Sequence, residues 1–308
     1  MSTAIIVLHY GSVEDTLSCL KSLSQLKNAR DVTVYVVDNG TGRLTPNIVK
    51  KVSKNARLIR NKRNLGYAAG NNSALKIALK NGHEYFLVLN NDAIADPMLL
   101  VALEPMLRKK DVGVVGCIIT YAKSKKIWFA GGILNRYFCF TRHKRMDIYG
   151  DEKNRPSEEV DFITGAALLT KREVFEKIGL LPEEYFLYWE DVDFCYKARQ
   201  AGYKCVIVNK HLVQHSVSAA SGQRGSNKLS PVRAYYYVRN PFIFMKKYPL
   251  SLLTALMGQL CIRLPHSVLM VSSARSFREY INGLVDGIEY LMNTKPLTKK
   301  SIQSLSRT

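Results

Sequence analysis

Runs of consecutive apolar residues alternate with helical patterns through the first half of the chain. AIIVLHY (4–10) reads as a buried strand, and 13–26 sets Leu17, Leu20 and Leu23 on one helical face. VTVYVVD (32–38) predicts a second strand ending on a carboxylate, and 56–60 a short third. A helical pattern at 68–80 carries Leu75, Ile77, Ala78 and Leu79, and YFLVL (85–89) is a fourth strand. Asp96-Pro97 has the form of an N-cap followed by proline in the first helical position, and 112–119 is a fifth strand. Such alternation predicts an α/β fold, a parallel sheet covered by helices, with ligands at the carboxyl ends of the strands. Residues 137–159 lapse into a polar, basic loop before an ordered stretch at 160–170, a helix at 171–178 and a further pattern at 185–201. A strand at 204–208 leads to His211 and His215, residues 216–230 form a Ser/Gly-rich loop, and the remainder reads as helices.

Composition narrows the class. The chain has 308 residues, 47% hydrophobic and 23% charged, which excludes a disordered or fibrous protein. Its formal charge is +20, and residues 216–308 hold 13 basic but only three acidic side chains. That charge speaks to partners: nucleic acid, an anionic membrane or phosphorylated ligands. Six scattered cysteines without a C-x-x-C pair suit a reduced cytoplasmic protein rather than a disulfide framework. Cys195, Cys205, His211 and His215 imitate a zinc set, but the cysteines are spaced too widely for a structural site. The start MSTAIIVLHY has no basic leader region and too short an apolar run for a signal peptide. The apolar stretch 249–271 is interrupted by Gln259, Arg263, Pro265 and His266, which argues against a spanning helix.

Four polar clusters fall where strands end. Asp38-Asn39-Gly40 supplies either a carboxylate for a nucleoside base or ribose, or an ordinary Asx turn. NLGYAAGNN (64–72) lets backbone approach a ligand at a helix entrance, or simply starts a helix. It is not G-x-G-x-x-G and no glycine-rich turn follows the first strand, which disfavours a dinucleotide fold. Asn90-Asn91-Asp92 puts one carboxylate at a buried strand's end, a place for a divalent cation or a plain polar turn. In YFLYWEDVD (185–193) aromatic residues run into three acids. Acids at a helix start answer the macrodipole; aromatic faces suit sugars, and clustered carboxylates raise one another's pKa, as a general base requires. His215, at a strand's end, is a structural histidine or a ligand for metal or phosphate.

In combination these segments resemble the family 2 glycosyltransferases of GT-A fold, nearest their rhamnosyltransferase-like branch. VVDNG (36–40), NLGYAAGNN (64–72), LNNDA (89–93), 163–179, 185–203, HSVSA (215–219) and YYYVRN (235–240) carry the resemblance, which covers 3–245. It implies a Rossmann-like, mainly parallel sheet flanked by helices, with a glycosyltransferase domain at 1–245 and a basic helical region at 246–308. Asp38, Asn64, Gly66, Asn71, Asn91, Asp92 and Arg239 would bind the donor. Asp92 matches the metal-binding acid, although Asn90 and Asn91 replace the second carboxylate of that motif; His215 would share the Mg²⁺ or Mn²⁺. Asp191 matches the catalytic base, with Trp189, Glu190 and Gly165 on the acceptor side.

The activity this implies is inverting transfer of a sugar, rhamnose favoured, from a dTDP- or UDP-sugar to a glycan or lipid-linked acceptor in bacterial-type cell-surface polysaccharide synthesis. Asp191 would deprotonate the acceptor hydroxyl as it attacks the anomeric carbon. The helices at 249–292 either pack on the catalytic domain or meet the membrane as a peripheral contact. A nucleic-acid-binding protein is the alternative prompted by the charge, but no reader motif is present. A nucleotidyltransferase lacks its expected glycine-rich loop, and an inactive sugar-binding relative differs only in assay.

Overall fold

The computed structural model describes residues 2–27, 31–150, 155–216, 228–248 and 252–292. Its strands are β1 (Thr3–His9), β2 (Val32–Asn39), β3 (Ala56–Asn61), β4 (Tyr85–Asn90), β5 (Ala93–Ala95), β6 (Val112–Tyr121), β7 (Ile127–Phe129), β8 (Gly132–Asn135), β9 (Phe140–His143), β10 (Glu158–Val160), β11 (Ala167–Lys171) and β12 (Lys204–His215). The helices are α1 (Val13–Leu23), α2 (Pro46–Val52), α3 (Tyr67–Lys80), α4 (Leu99–Leu107), α5 (Arg172–Ile178), α6 (Glu190–Gln200), α7 (Pro231–Lys247), α8 (Leu252–Met257), α9 (Leu264–Val268) and α10 (Ala274–Met292).

The main sheet runs β10-β12-β6-β11-β4-β1-β2-β3. β1 pairs parallel with β2 and β4, β2 with β3, and β6 with β12. β11 lies antiparallel between β4 and β6, so the sheet is mainly rather than wholly parallel. Every side chain of β1 is buried, as expected of a strand with helices on both faces. The register brings the ends of three strands level: His9 opposite Asp38, and Leu8 opposite Asn90.

Three local expectations change. Asp96-Pro97 does not begin α4; Asp96 Oδ1 accepts from Met98 N at 2.8 Å and its carbonyl from Leu99 N at 3.0 Å, so the chain completes a turn first. The stretch 137–159 is not a plain loop, since β9 pairs with β8 and β10 with β12; strands of three or four residues are too short to display a period. The segment 204–215 is one strand with bulges around His211, and β5 pairs across its end, Ala93 opposite His215. The 216–230 loop lies mostly outside the described residues.

The C-terminal helices fold back onto the sheet domain. Residue 245 lies inside α7, whose first residue, Pro231, suits a helix start. α10 packs along α7 through Gly283 and Gly287; a Cβ there would sit 2.4 Å from the Tyr235 carbonyl and 2.6 Å from the Phe242 ring. Among the described residues no helix is long and apolar enough to cross a membrane.

Candidate active site

At the end of β2 one asparagine organises the loop that follows β3. Asn39 Nδ2 donates to Asn64 Oδ1 at 2.9 Å and to the Gly66 carbonyl at 3.2 Å. Its Oδ1 accepts from Asn61 Nδ2 and Leu65 N, each at 3.1 Å. Asn64 Oδ1 also accepts from Gly66 N at 2.8 Å. Asp38 serves its own turn, accepting from Thr41 N and Oγ1 at 2.8 and 2.7 Å and from Leu44 N at 3.4 Å. Burial opposes its charge, but those donors and nearby His9 hold the carboxyl below its ordinary value. His9 faces Asp38 from the adjoining strand; its Nδ1 bonds Thr16 Oγ1 at 2.7 Å, and Nε2 has no partner among the described residues.

Gly66 precedes the first residue of α3 as its N-cap, with φ of +86°, and a Cβ there would sit 2.5 Å from the Phe186 ring. Asn71 is fully buried and donates to the Tyr67 carbonyl at 2.9 Å, leaving its Oδ1 without a partner among the described residues. Gly66 therefore belongs to the same turn as Asn64, while Asn71 sits one helical turn further on, against the start of α3.

The side chains of the Asn90-Asn91-Asp92 turn diverge. Asn91 Nδ2 donates to Thr16 Oγ1 at 2.9 Å, tying the turn to α1 rather than facing a ligand. Asn90 Nδ2 and Asp92 Oδ1 both meet His215 Nε2, at 3.2 and 2.9 Å. The β5–β12 pairing and the bond from Ser216 N to the Asp92 carbonyl at 3.0 Å fix this meeting. Trp128 packs edge-on between His215 and His143, with ring centroids 4.6 and 5.0 Å away. Burial drives the His143 pKa down to about 4, which keeps that imidazole neutral. Asp92 and His215 are thus two buried, converging oxygen and nitrogen donors: the carboxylate is of the kind Mg²⁺ or Mn²⁺ takes, and the imidazole is a ligand more usual for softer divalent ions. Among the described residues no cluster of three or more His, Cys, Asp or Glu forms, so any ion would draw its other ligands from diphosphate and water. The zinc set fails for the same reason: Cys195 and Cys205 are buried in the core while His211 is exposed.

The acidic segment forms a second centre. Asp191 Oδ2 accepts from Gly165 N at 2.9 Å and Oδ1 from Val192 N at 2.8 Å. Its pKa is raised by burial, against the pull of those amides and of the Thr164 side chain. Glu190 is raised further, by burial and then by the Asp191 charge, and its Oε2 has no partner among the described residues. The two carboxyls titrate as a coupled pair, with the backbone amides favouring the charged form at Asp191 and burial favouring the neutral form at Glu190. Tyr67, quoted in the sequence only as part of a motif, joins the two centres. Its hydroxyl donates to the Gly165 carbonyl at 2.6 Å, and burial followed by the charges of Glu190, Asp191 and Asp92 raises its pKa well above normal. Gly165 has no room for a side chain, since a Cβ would lie 2.7 Å from that hydroxyl.

Two expected site residues, Trp189 and Arg239, serve the framework instead, as does the third acid of the segment, Asp193. Trp189 is buried against Phe244, with Arg263 5.5 Å from its ring centroid, so its face is not presented to a sugar. Arg239 is fully buried, and its Nη2 donates to the Glu184 and Tyr185 carbonyls at 3.1 and 2.9 Å. Asp193, the third acid, is fully buried and bound by Lys247 and Tyr248.

Carboxylates grouped near the carboxyl ends of a largely parallel sheet suit a group-transfer enzyme, and similarity to known proteins gives the class, a glycosyltransferase. The chain belongs to glycosyl transferase family 2, whose model matches residues 4–179. It is 24% identical over 299 residues to the dTDP-rhamnosyl transferase RfbF of Shigella flexneri, covering 92% of this chain and 94% of the relative. It is 27% identical over 298 residues to the N-acetylglucosaminyl-diphospho-decaprenol L-rhamnosyltransferase of Mycobacterium tuberculosis, covering 87% and 92%. In fold it is similar to S. aureus TarS 1-349 in complex with UDP-GlcNAc, with a TM-score of 0.62, 18% identity and coverage of 94% and 82%. The mannosyltransferase PcManGT of Pyrobaculum calidifontis, in complex with GDP-Man and Mn²⁺, gives a TM-score of 0.58, 16% identity and coverage of 99% and 81%.

Proposed function

We propose that this glycosyltransferase moves rhamnose from a dTDP-sugar, or a related sugar from a UDP-sugar, to a hydroxyl of a lipid-linked glycan, inverting the anomeric configuration. The names of the Shigella and mycobacterial relatives support the sugar and the acceptor class. The observation that carries the chemistry is Asp191: a carboxylate fixed by two backbone amides, across Tyr67 from the Asp92–His215 pair. In the reaction the acceptor oxygen forms a bond to the anomeric carbon as the carbon–diphosphate bond breaks, and Asp191 takes the hydroxyl proton. The activated leaving group needs no protonation, so one base is enough. Asn64, Gly66 and Asn71 line the nucleoside end, with Asp38 setting the turn beneath it. Asp92 and His215 would hold Mg²⁺ or Mn²⁺, which when bound neutralises charge on the diphosphate.

The test is Asp191→Asn. Donor binding by calorimetry stays near wild type, and transfer falls by at least about 10²–10⁴-fold, the range for loss of a general base. Wild-type turnover would sink the assignment.

A lipid-linked acceptor calls for work at a membrane surface, and the C-terminal helices support that. Phe277, Ile281, Val285, Ile288 and Met292 form an exposed apolar stripe on α10, opposite its buried Tyr280, Gly283 and Gly287. Leu253, Met257, Leu260 and Leu269 add exposed apolar surface on the preceding helices. Residues 293–308 contain four basic and no acidic side chains, which favours anionic lipid. The proposed arrangement is peripheral, with the stripe in the headgroup region of the cytoplasmic leaflet. Flotation with phosphatidylglycerol vesicles checks it: Ile281→Glu/Val285→Glu loses the lipid fraction, and unchanged flotation counts against the contact.

A further inference from the structure

We infer that Arg239 and Asn240 are positioning residues for the catalytic base, acting as a clamp on a strained loop that joins the donor turn to Asp191. The inference rests on the reading of Asp191 as base. Between the short helical turn Glu183–Tyr185 and α6, the residues Phe186, Tyr188 and Trp189 have φ of 63°, 69° and 75°. Large side chains avoid that left-handed region, and a loop holding three of them persists only if its surroundings impose it.

The α7 helix imposes it. Asn240 Nδ2 lies 3.1, 2.7 and 2.8 Å from the carbonyls of Tyr185, Leu187 and Tyr188, which share its two N–H groups. Arg239 Nη2 covers Glu184 and Tyr185, and its Nε donates to Asn240 Oδ1 at 2.9 Å, orienting the amide toward the loop. The guanidinium is held 4.7 Å from the Tyr236 ring centroid, and Tyr236 stacks on Phe186 at 4.9 Å. Arg233 Nε adds a bond to the Tyr188 hydroxyl at 2.7 Å.

Both ends of the clamped loop reach the site. The Phe186 carbonyl accepts from Tyr67 N at 2.6 Å, at the start of α3, and three residues on from Tyr188 stands Asp191. Loop strain, donor turn and base therefore share one support, and it comes from a helix beyond the matched family segment.

The test compares Asn240→Ala and Arg239→Lys with wild type and Asp191→Asn, measuring kcat, donor KM and the pH profile of each. Displacing Asp191 from the Gly165 and Val192 amides lowers kcat by roughly 10–100-fold, as ångström-scale misplacement does. It also moves the acid limb of the profile to higher pH, because those amides favour the carboxylate. A partly unfolded population lowers kcat without moving that limb. If Asn240→Ala is insoluble, Arg239→Lys, which keeps the charge and loses the fork, decides by the same two readouts. Wild-type kcat, or a loss with an unmoved limb, overturns the clamp. Turnover retained by Asp191→Asn instead overturns the base assignment and leaves the clamp's geometry without that role.

Discussion

Glu190 offers a sharp check on the electrostatics of the site. It is buried beside Asp191, its pKa pushed well up by burial and by the neighbouring charge, with one carboxyl oxygen unbonded among the described residues. A carboxyl whose folded pKa is raised favours the fold fully only at pH below its unfolded value of about 4.3. Above that value the unfolded chain releases the proton and the folded one keeps it. Stability then falls by about 1.4 kcal/mol per pH unit until the folded pKa is passed. Glu190→Gln copies the neutral acid and abolishes the dependence. Its extra amide hydrogens, if unbonded, add a constant penalty of about 1–3 kcal/mol. The slope is therefore diagnostic where the offset is not. Urea unfolding of both proteins at half-unit steps from pH 4.5 to 8 gives a stability difference that moves steadily in the variant's favour as pH rises. Parallel curves would show Glu190 ionised in the native protein and refute the reasoning. Turnover near neutral pH stays within a few-fold of wild type, since Asp191 is untouched.

Further outcomes follow from the same geometry. Because burial raises the Asp191 pKa, turnover falls on acidification with a midpoint above the ordinary carboxylate range, measured as kcat against pH in stopped assays. Gly66→Ala forces a positive φ on alanine and drives its Cβ within 2.5 Å of the Phe186 ring. It costs about 2–4 kcal/mol by urea titration and weakens donor binding. Lys247→Met removes the ion-pair partner closest to Asp193, which is fully buried, and costs about 3 kcal/mol by urea titration. Chelation stops turnover and Mn²⁺ restores it, while His215→Ala raises the Mn²⁺ needed for half-maximal rate by about tenfold or more.

Much of the sheet is legible because strands with no polar face, such as β1 and β4, leave few alternatives. Asp92 and Asp191 stand out too, each in a short polar segment directly after a strongly apolar or aromatic run. What escapes the chain's local pattern is whatever depends on distant pairing. Asp92 meets His215 through three residues of β5 crossing a bulged strand, and no period betrays so short an element. The Trp128–His143 wall beside His215 comes from equally short strands, β7 and β9, the second of them hidden in the 137–159 stretch that reads as polar loop. Asn90 and Asn91 look equivalent in sequence, yet one meets His215 and the other Thr16 in α1. The 186–189 turn contradicts local preference outright: phenylalanine, tyrosine and tryptophan in left-handed backbone make sense only once Asn240 is in place. Trp189 misleads for the same reason, since that backbone turns its ring toward Phe244.

The dependence of this turn on α7 also bears on the order of biosynthesis. A chain grows from its N-terminus, and the sheet with its nucleotide-side loops is complete by about residue 215. The hydrogen bonds that hold the turn before Asp191 come from residues 239 and 240, and the lock on Asp193 from 247 and 248. A ribosome-bound chain carrying every acidic residue of the site therefore still lacks the groups that order it. A chain ended before α7 is therefore expected to lack transfer activity although it carries every acidic residue of the site.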